Sequence, residues 1–247
     1  MNQAENAIEA GDSSNEPVNI EGIVGVSEED KRQYENNYKA HKSGITLDEV
    51  VNVYTNWAGD YDKDLCPGRY NGPEIAARAM SAFYKEDDDF RANLKILDVA
   101  AGTGRVGVEL AKFGFKLFDA VDPSSGMLEI LRKRGLYGKT FETAIDYNPI
   151  DGIKTNSYDA LVISGGMGEG HIPVTAVHEM IRIVKPGGMV FIVMREEYLS
   201  YVPEYSGRLE SYMDKLAGEG LWVQVERELV ANYSFNKDGV VFTYQIL

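Results

Sequence analysis

The feature that most constrains this chain is the run Asp98-Val99-Ala100-Ala101-Gly102-Thr103-Gly104-Arg105-Val106-Gly107, set where an apolar β-run ends and a helical pattern begins. Small residues at such a junction let the backbone approach a ligand. The first amides of the following helix add donors at a positive dipole end. The combination suits a ligand that presents oxygens.

The rhythm of β-run, turn and helix repeats downstream, which is the signature of a parallel sheet covered on both faces. Strands are expected at residues 96–99, 117–121, 140–144, 159–164 and 189–194, and helices at 105–113, 126–134, 174–184 and 207–216. Lys185-Pro186-Gly187-Gly188 is expected to stop the third of these helices, and the apolar runs 221–233 and 240–246, joined by Asn236-Lys237-Asp238-Gly239, predict a terminal hairpin. Upstream, Ser27 before three acidic residues is a possible helix start. Thr46 with Glu49 forms a clearer capping box, opening a helix that carries Val50, Val51, Val53, Tyr54 and Trp57. Pro73 opens another through Ile75, Ala76, Ala79, Met80 and Phe83. At 247 residues one domain with extensions is expected. It divides into a mobile acidic segment at 1–26, a helical cap at 27–90 and an α/β body at 91–247.

The net charge of −14 is uneven, because the first thirty residues hold eight acidic side chains and no Lys or Arg, leaving 31 acidic against 25 basic residues in the rest. Neutralising nucleic-acid phosphates takes clustered basic residues, and no long basic run is present, so a nucleic-acid partner is disfavoured. A small-molecule or protein substrate suits the chain better, and a monomer is favoured. The lone Cys66 suits a reducing compartment, the cytoplasm by default. No apolar stretch approaches the roughly 18 residues that span a bilayer, and the acidic start is unlike a targeting peptide. No metal site is expected.

Gly102, Gly104 and Gly107 match the dinucleotide glycine pattern, and Asp122, twenty residues after the first of them, stands at the end of the second strand, where it can accept from ribose hydroxyls. This spacing does not separate a nicotinamide enzyme from one that uses S-adenosylmethionine, since both cofactors carry adenosine.

Asp98-x-x-x-Gly102-x-Gly104, then Asp122-Pro123-Ser124-Ser125-Gly126-Met127, then Lys185-Pro186-Gly187-Gly188 together resemble the class I S-adenosylmethionine-dependent methyltransferase family. Trp57-Ala58-x-x-Tyr61-Asp62, Gly126-Met127-Leu128-Glu129 and Tyr158-Asp159-Ala160-Leu161-Val162 are similar to the methyltransferase-like proteins of the Williams-Beuren syndrome region, over roughly residues 50–221.

The resemblance implies a Rossmann-like, doubly wound, seven-stranded α/β sheet with an antiparallel last strand and an N-terminal helical cap. It implies S-adenosylmethionine as cofactor, lying across the strand ends, with S-adenosylhomocysteine as product. Asp98, Gly102 and Gly104 would border its methionine moiety, with Ala100 and Pro123 in the same wall. Asp122 would hold the ribose, Met127 would flank the adenine, and Ile145-Asp146 would meet the adenine amino group, although the usual Leu-Pro-Phe is replaced here by Asn148-Pro149-Ile150. Ser164 would pass near the sulfonium, and Trp57 and Tyr61 would form a lid where aromatic faces favour a cation.

Plainer readings stand beside these. Asp98 can simply cap a turn, and Trp57 and Tyr61 can simply pack a helix onto the sheet. His171 and Glu169, after the fourth strand, are candidate general bases, though an exposed loop histidine is the simpler expectation. His178 falls on an apolar helical stripe and reads as structural. Ser164-Gly165-Gly166-Met167 is unlike the Asn/Asp-Pro-Pro-aromatic sequence of nucleic-acid amino methyltransferases. A methyltransferase is the expectation, its acceptor pocket formed by the N-terminal helices, the loop Gly165 to Pro173 and the region around Arg195 to Tyr205; a nicotinamide-dependent oxidoreductase and a non-catalytic cofactor-binding module are its rivals.

Overall fold

The computed structural model describes residues 28–85 and 88–247, so the acidic head at 1–26 and Ser27 as a helix cap lie outside the described residues. Lys95–Val99 (β1) and Leu117–Val121 (β2) are buried from their second residue onward, and Tyr158–Ser164 (β4) nearly throughout. Strands covered on both faces need such unbroken apolar runs. With Tyr137–Phe141 (β3), Val184–Arg195 (β5), Trp222–Ser234 (β6) and Lys237–Ile246 (β7) they form one seven-stranded sheet in the order β3-β2-β1-β4-β5-β7-β6. The pairs β1–β2, β1–β4, β2–β3 and β4–β5 are parallel, whereas β7 runs antiparallel to both β5 and β6. The expected hairpin is therefore the edge of the sheet.

Alternation along the strands divides the core in two. Leu97, Val99, Leu161, Ile163, Val190 and Ile192 face the side covered by Val177–Ile183 (α7) and Leu209–Gly218 (α9). Ile96, Ala160, Val162, Phe191 and Val193 face the side covered by Gly72–Phe83 (α3).

Three strands differ from expectation: β7 begins at Lys237 and not at residue 240, because Ser234 already pairs with Lys237 and the turn shrinks to Phe235-Asn236. The third strand starts at Tyr137 and not at residue 140. It is an edge strand with little buried surface, so its apolar pattern is weak. The fifth begins at Val184, already paired with Tyr158, and the register shifts before Met189 meets Ala160. Lys185-Pro186-Gly187-Gly188 is thus an irregular entry into β5 and not a separate loop. A Cβ on Gly188 would lie 2.6 Å from the Asp159 carbonyl oxygen, which explains a glycine there.

The cap is built mainly by Leu47–Asp64 (α2), started by the Thr46–Glu49 capping box as read from the sequence. It runs two turns beyond the expected stripe because Trp57 Nε1 donates to Asp64 at 2.8 Å, tying those turns together. Glu28–Lys39 (α1) closes on the same carboxylate, with Arg32 at 2.7 Å and Asn36 at 3.1 Å. The remaining helices are Asp88–Asn93 (α4), Arg105–Ala111 (α5), Ser125–Lys133 (α6) and Tyr198–Tyr201 (α8). Among the described residues no helix is long and apolar enough to cross a membrane.

Helix α2 docks on the start of α6, where Thr55 and Ser124 hydroxyls share a 2.9 Å hydrogen bond. A Cβ on Gly126 would fall 2.6 Å from the Thr55 carbonyl oxygen, so the helices meet backbone to backbone. Gly126→Val is expected to destabilise the fold by about 1–3 kcal/mol through overpacking, read as a lower urea midpoint at unchanged slope. Gly59→Ala, on the facing helix α2 and with open space around its Cβ position, is expected to be neutral or stabilising.

Candidate active site

Sheets of this kind bind ligands outside the carboxyl ends of the strands, at the point where strand order reverses. Here that point lies between β1 and β4, and a cavity of about 370 Å3 opens there. Val99, Ala100 and Gly102 border it below, Asp122, Pro123, Ser124 and Met127 on one side, and Ser164, Gly165 and Gly166 on the other. Leu47, Val50, Val51, Tyr54 and Tyr61, one face of α2, form the roof.

The glycine turn takes three residues with positive φ, Ala100 at 53°, Gly102 at 55° and Gly104 at 83°. This backbone aims the Gly102 amide at Asp122 Oδ2, 2.8 Å away, while the Ser124 amide donates to Oδ1 at 2.8 Å. Burial pushes the Asp122 carboxyl up to about 6, opposed by these two hydrogen bonds. A carboxylate accepts about four hydrogen bonds, so Asp122 keeps acceptor capacity on the cavity wall.

The other motif residues of the turn serve the scaffold. Asp98 does not border the cavity but lies behind the loop, 1% exposed, where Oδ2 accepts from the Tyr137 hydroxyl at 2.6 Å and Oδ1 is buried without a partner. Burial first, then the nearby Asp122, pushes its carboxyl up to about 7. Tyr137 also accepts from the Gly107 amide at 2.9 Å. A Cβ on Gly107 would stand 2.4 Å from that hydroxyl, and one on Gly104 2.9 Å from the ring. Two of the three fingerprint glycines therefore make room for a tyrosine, and Gly104, like Asp98, is off the cavity wall.

Ile145 and Asp146 do border the cavity, with Asp146 exposed and accepting from the Asn148 amide at 2.6 Å. Ser164 borders it and pairs with the Tyr70 hydroxyl at 3.0 Å. Of the expected lid, Tyr61 faces the cavity and Trp57 does not. The Trp57 indole is drawn away by Asp64 and supports Tyr61 from behind, edge to face at 4.9 Å.

His171 is not a solvated loop residue, because the cap covers it. It borders the cavity, stacks on His41 at 4.9 Å, and bonds the Glu169 carbonyl oxygen through Nδ1 at 2.7 Å. A carbonyl only accepts, so Nδ1 carries the proton and Nε2 accepts from the Tyr54 hydroxyl at 3.1 Å. Burial pulls His171 down to about 4, and burial together with the neighbouring His171 pulls His41 down to about 3. Glu169 points elsewhere, its Oε1 accepting from the Gly44 amide at 3.1 Å.

A second, narrower cavity of about 30 Å3 adjoins the first across Tyr54, Tyr61 and Gly165, and is bordered further by Tyr70, Tyr198, Tyr233 and Arg195. Arg195 and Tyr198 fall in the stretch 195–205, and Tyr54 in the N-terminal helices, that were expected to build the acceptor pocket, whereas Tyr70 and Tyr233 were not legible as site residues. For Tyr54 a signal existed, since residues 47, 50, 51 and 54 fall on one helical face.

The methyltransferase domain family matches residues 96–188. Human methyltransferase-like protein 27 is 32% identical over 176 residues, covering 71% of this chain and 69% of that protein. The chain belongs to the class I S-adenosylmethionine-dependent methyltransferases. The methyltransferase also resembles the demethylmenaquinone methyltransferase of Renibacterium salmoninarum, 36% identical over 102 residues and 40% of each chain. Its fold matches a Leishmania major S-adenosylmethionine-dependent methyltransferase with a TM-score of 0.57 at 15% identity, over 81% of this chain and 82% of that one. It likewise matches the glycopeptide N-methyltransferase MtfA, solved with S-adenosylmethionine, with a TM-score of 0.52 at 15% identity, over 72% and 95% of the two chains. Membership sets aside the nicotinamide oxidoreductase, and Tyr137 explains why the third glycine of the methyltransferase had suggested one.

Both half-buried imidazoles stay neutral in the folded methyltransferase well below their ordinary value of 6.5. Between about pH 6.5 and 4 the unfolded chain binds two protons that the folded chain refuses, so these groups make stability fall as pH falls through that window. His171→Gln is expected to flatten the acid limb of a plot of urea midpoint against pH by about one proton's worth of slope; an unchanged slope would mean that the imidazole is not held neutral.

Proposed function

We propose that the methyltransferase binds S-adenosylmethionine in the larger cavity and methylates a small-molecule acceptor held toward the narrower one, releasing S-adenosylhomocysteine. The observation that carries this is the Asp122 carboxylate, fixed on the cavity wall by the Gly102 and Ser124 amides, with lone pairs left for ribose hydroxyls. The surrounding donor set fits the same ligand. Pro123, Met127 and Ile145 offer apolar surface for a base, Asp146 an acceptor for its amino group, and Ser164 to Gly166 a close-lying backbone near the reacting centre.

When bound, the cofactor supplies a methyl carbon whose bond to a positively charged sulfur breaks as an acceptor lone pair attacks in line, the bonding electrons returning to sulfur. Much of the acceleration in such a displacement comes from alignment and exclusion of water. Helix α2 serves both, since its apolar face closes the cavity and Tyr54 and Tyr61 border the two chambers together. Glycine at 165 keeps the passage between them clear: it takes a φ of 75°, and a Cβ there would lie 2.4 Å from the Tyr70 hydroxyl. Where the acceptor carries a proton, His171 Nε2 can take it through the Tyr54 hydroxyl, because burial keeps the imidazole neutral. Glu169, with Oε1 held by Gly44 and Oε2 buried, borders neither cavity, which favours His171 of the two candidates. The net charge of −14 argues against a polyanionic acceptor.

Titration calorimetry with S-adenosylmethionine, S-adenosylhomocysteine and NAD tests the proposal. The first two are expected to bind, NAD not, and Asp122→Ala is expected to lose about 10–100-fold in affinity, the worth of charge-assisted hydrogen bonds. Equal affinity in the variant would remove Asp122 from the site. The ionised carboxylate is the better acceptor, and burial places its protonation at about 6. Affinity is therefore expected to weaken as pH drops below about 6, and Asp122→Asn to abolish that dependence.

A further inference from the structure

The narrower cavity holds a charged group that the mechanism above does not use. Arg195, at the end of β5, borders it with its side chain 13% exposed. Its Nη1 donates to Glu197 Oε1 at 3.1 Å and its Nη2 to the Ser234 hydroxyl at 3.2 Å, while Nε is fully buried without an acceptor. Leaving a buried cationic donor unpaired costs stability, and a chain that keeps one beside a cavity holds a donor ready for a ligand oxygen.

The local charge points the same way. Glu197 does not cancel Arg195, because its other oxygen is taken by Lys237 Nζ at 3.1 Å, so the three side chains together keep one positive charge. Among the described residues no carboxylate borders the cavity, whose walls set five tyrosines, Leu65 and Met167 beside the polar side chains of Asn37, His41 and Ser234. Burial strengthens an ionic hydrogen bond to the guanidinium, and its like charge disfavours an amine beside it. A volume of about 30 Å3 admits roughly two or three water-sized atoms. That matches the three heavy atoms of a planar carboxylate better than the five of a tetrahedral phosphate or sulfate.

We propose that this cavity is a carboxylate subsite for the methyl acceptor, with Arg195 Nε–H donating to a carboxylate oxygen and the rest of the acceptor reaching past Gly165 toward the larger cavity. The atom that receives the methyl group is then at the end of the molecule remote from the gripped carboxylate. This rests on the methyl-transfer reading above.

The test uses the full chain saturated with S-adenosylhomocysteine and compares acetate, benzoate and 4-hydroxyphenylacetate with their amides by ligand-observed NMR titration. At least one carboxylate is expected to bind about tenfold or more tighter than its amide, as a charge-assisted hydrogen bond requires. Arg195→Gln is expected to bring that ratio to about one. Arg195→Lys, which keeps the charge but lacks the Nε–H, is expected to lower it at least about threefold. A wild-type ratio near one, a ratio unchanged in either variant, or no binding by any of the carboxylates would overturn the subsite and leave Arg195 a structural arginine. The affinity for S-adenosylhomocysteine, measured on the same wild-type sample, judges the methyl-transfer reading separately: its absence sinks that reading whatever the carboxylates do.

Discussion

Everything around the cavity depends on a glycine turn held by two buried carboxylates. Asp122 grips the turn from the cavity side through the Gly102 amide, and Asp98 grips it from behind through the Tyr137 hydroxyl, which also receives the Gly107 amide. Burial disfavours the charge on both. The turn carries the positive-φ backbone that lets β1 end and α5 begin within a few residues, so the position of the strand end, the helix and the ligand surface are set together.

The helical cap is bound into the same turn. Thr103, between the first two glycines, donates to Asp62 of α2 at 2.6 Å, and Arg134, just past α6, reaches the other oxygen of Asp62. With the backbone contact at Gly126, these bonds make the roof a continuation of the Rossmann-like body and not a separate lobe. Tyr54 and Tyr61 are thereby held at fixed heights over the cavity floor, which alignment of two reactants demands.

The parts of this arrangement that a sequence reveals are those written in local periodicity. The buried runs of β1, β2 and β4, the capping box of α2, the terminal hairpin and Asp122 at its strand end all follow from residues close together in the chain. What stayed hidden was set by distant partners. Asp98 looked like a ligand contact because nothing nearby announced that Tyr137, 39 residues on, would occupy it. His171 looked exposed because its cover, Tyr54 and His41, lies more than a hundred residues upstream. The stretch 195–205 was legible as part of an acceptor pocket, but Tyr70 and Tyr233, which complete the wall around Arg195, come from segments with no shared pattern, and an apolar helical stripe reports that a face is covered without saying whether protein or ligand covers it.

Gly107 and Tyr137 interlock so closely that neither position is free by itself. The glycine gives the phenol its space, and the phenol occupies both the amide of that glycine and the carboxylate at the strand end. A larger residue at 107 would require a smaller one at 137, and a smaller one at 137 would strand a buried acid. Residues 98, 107 and 137 are thus one mechanical unit, in which a change at one position calls for a compensating change at another, although the glycine reads like part of a nucleotide fingerprint.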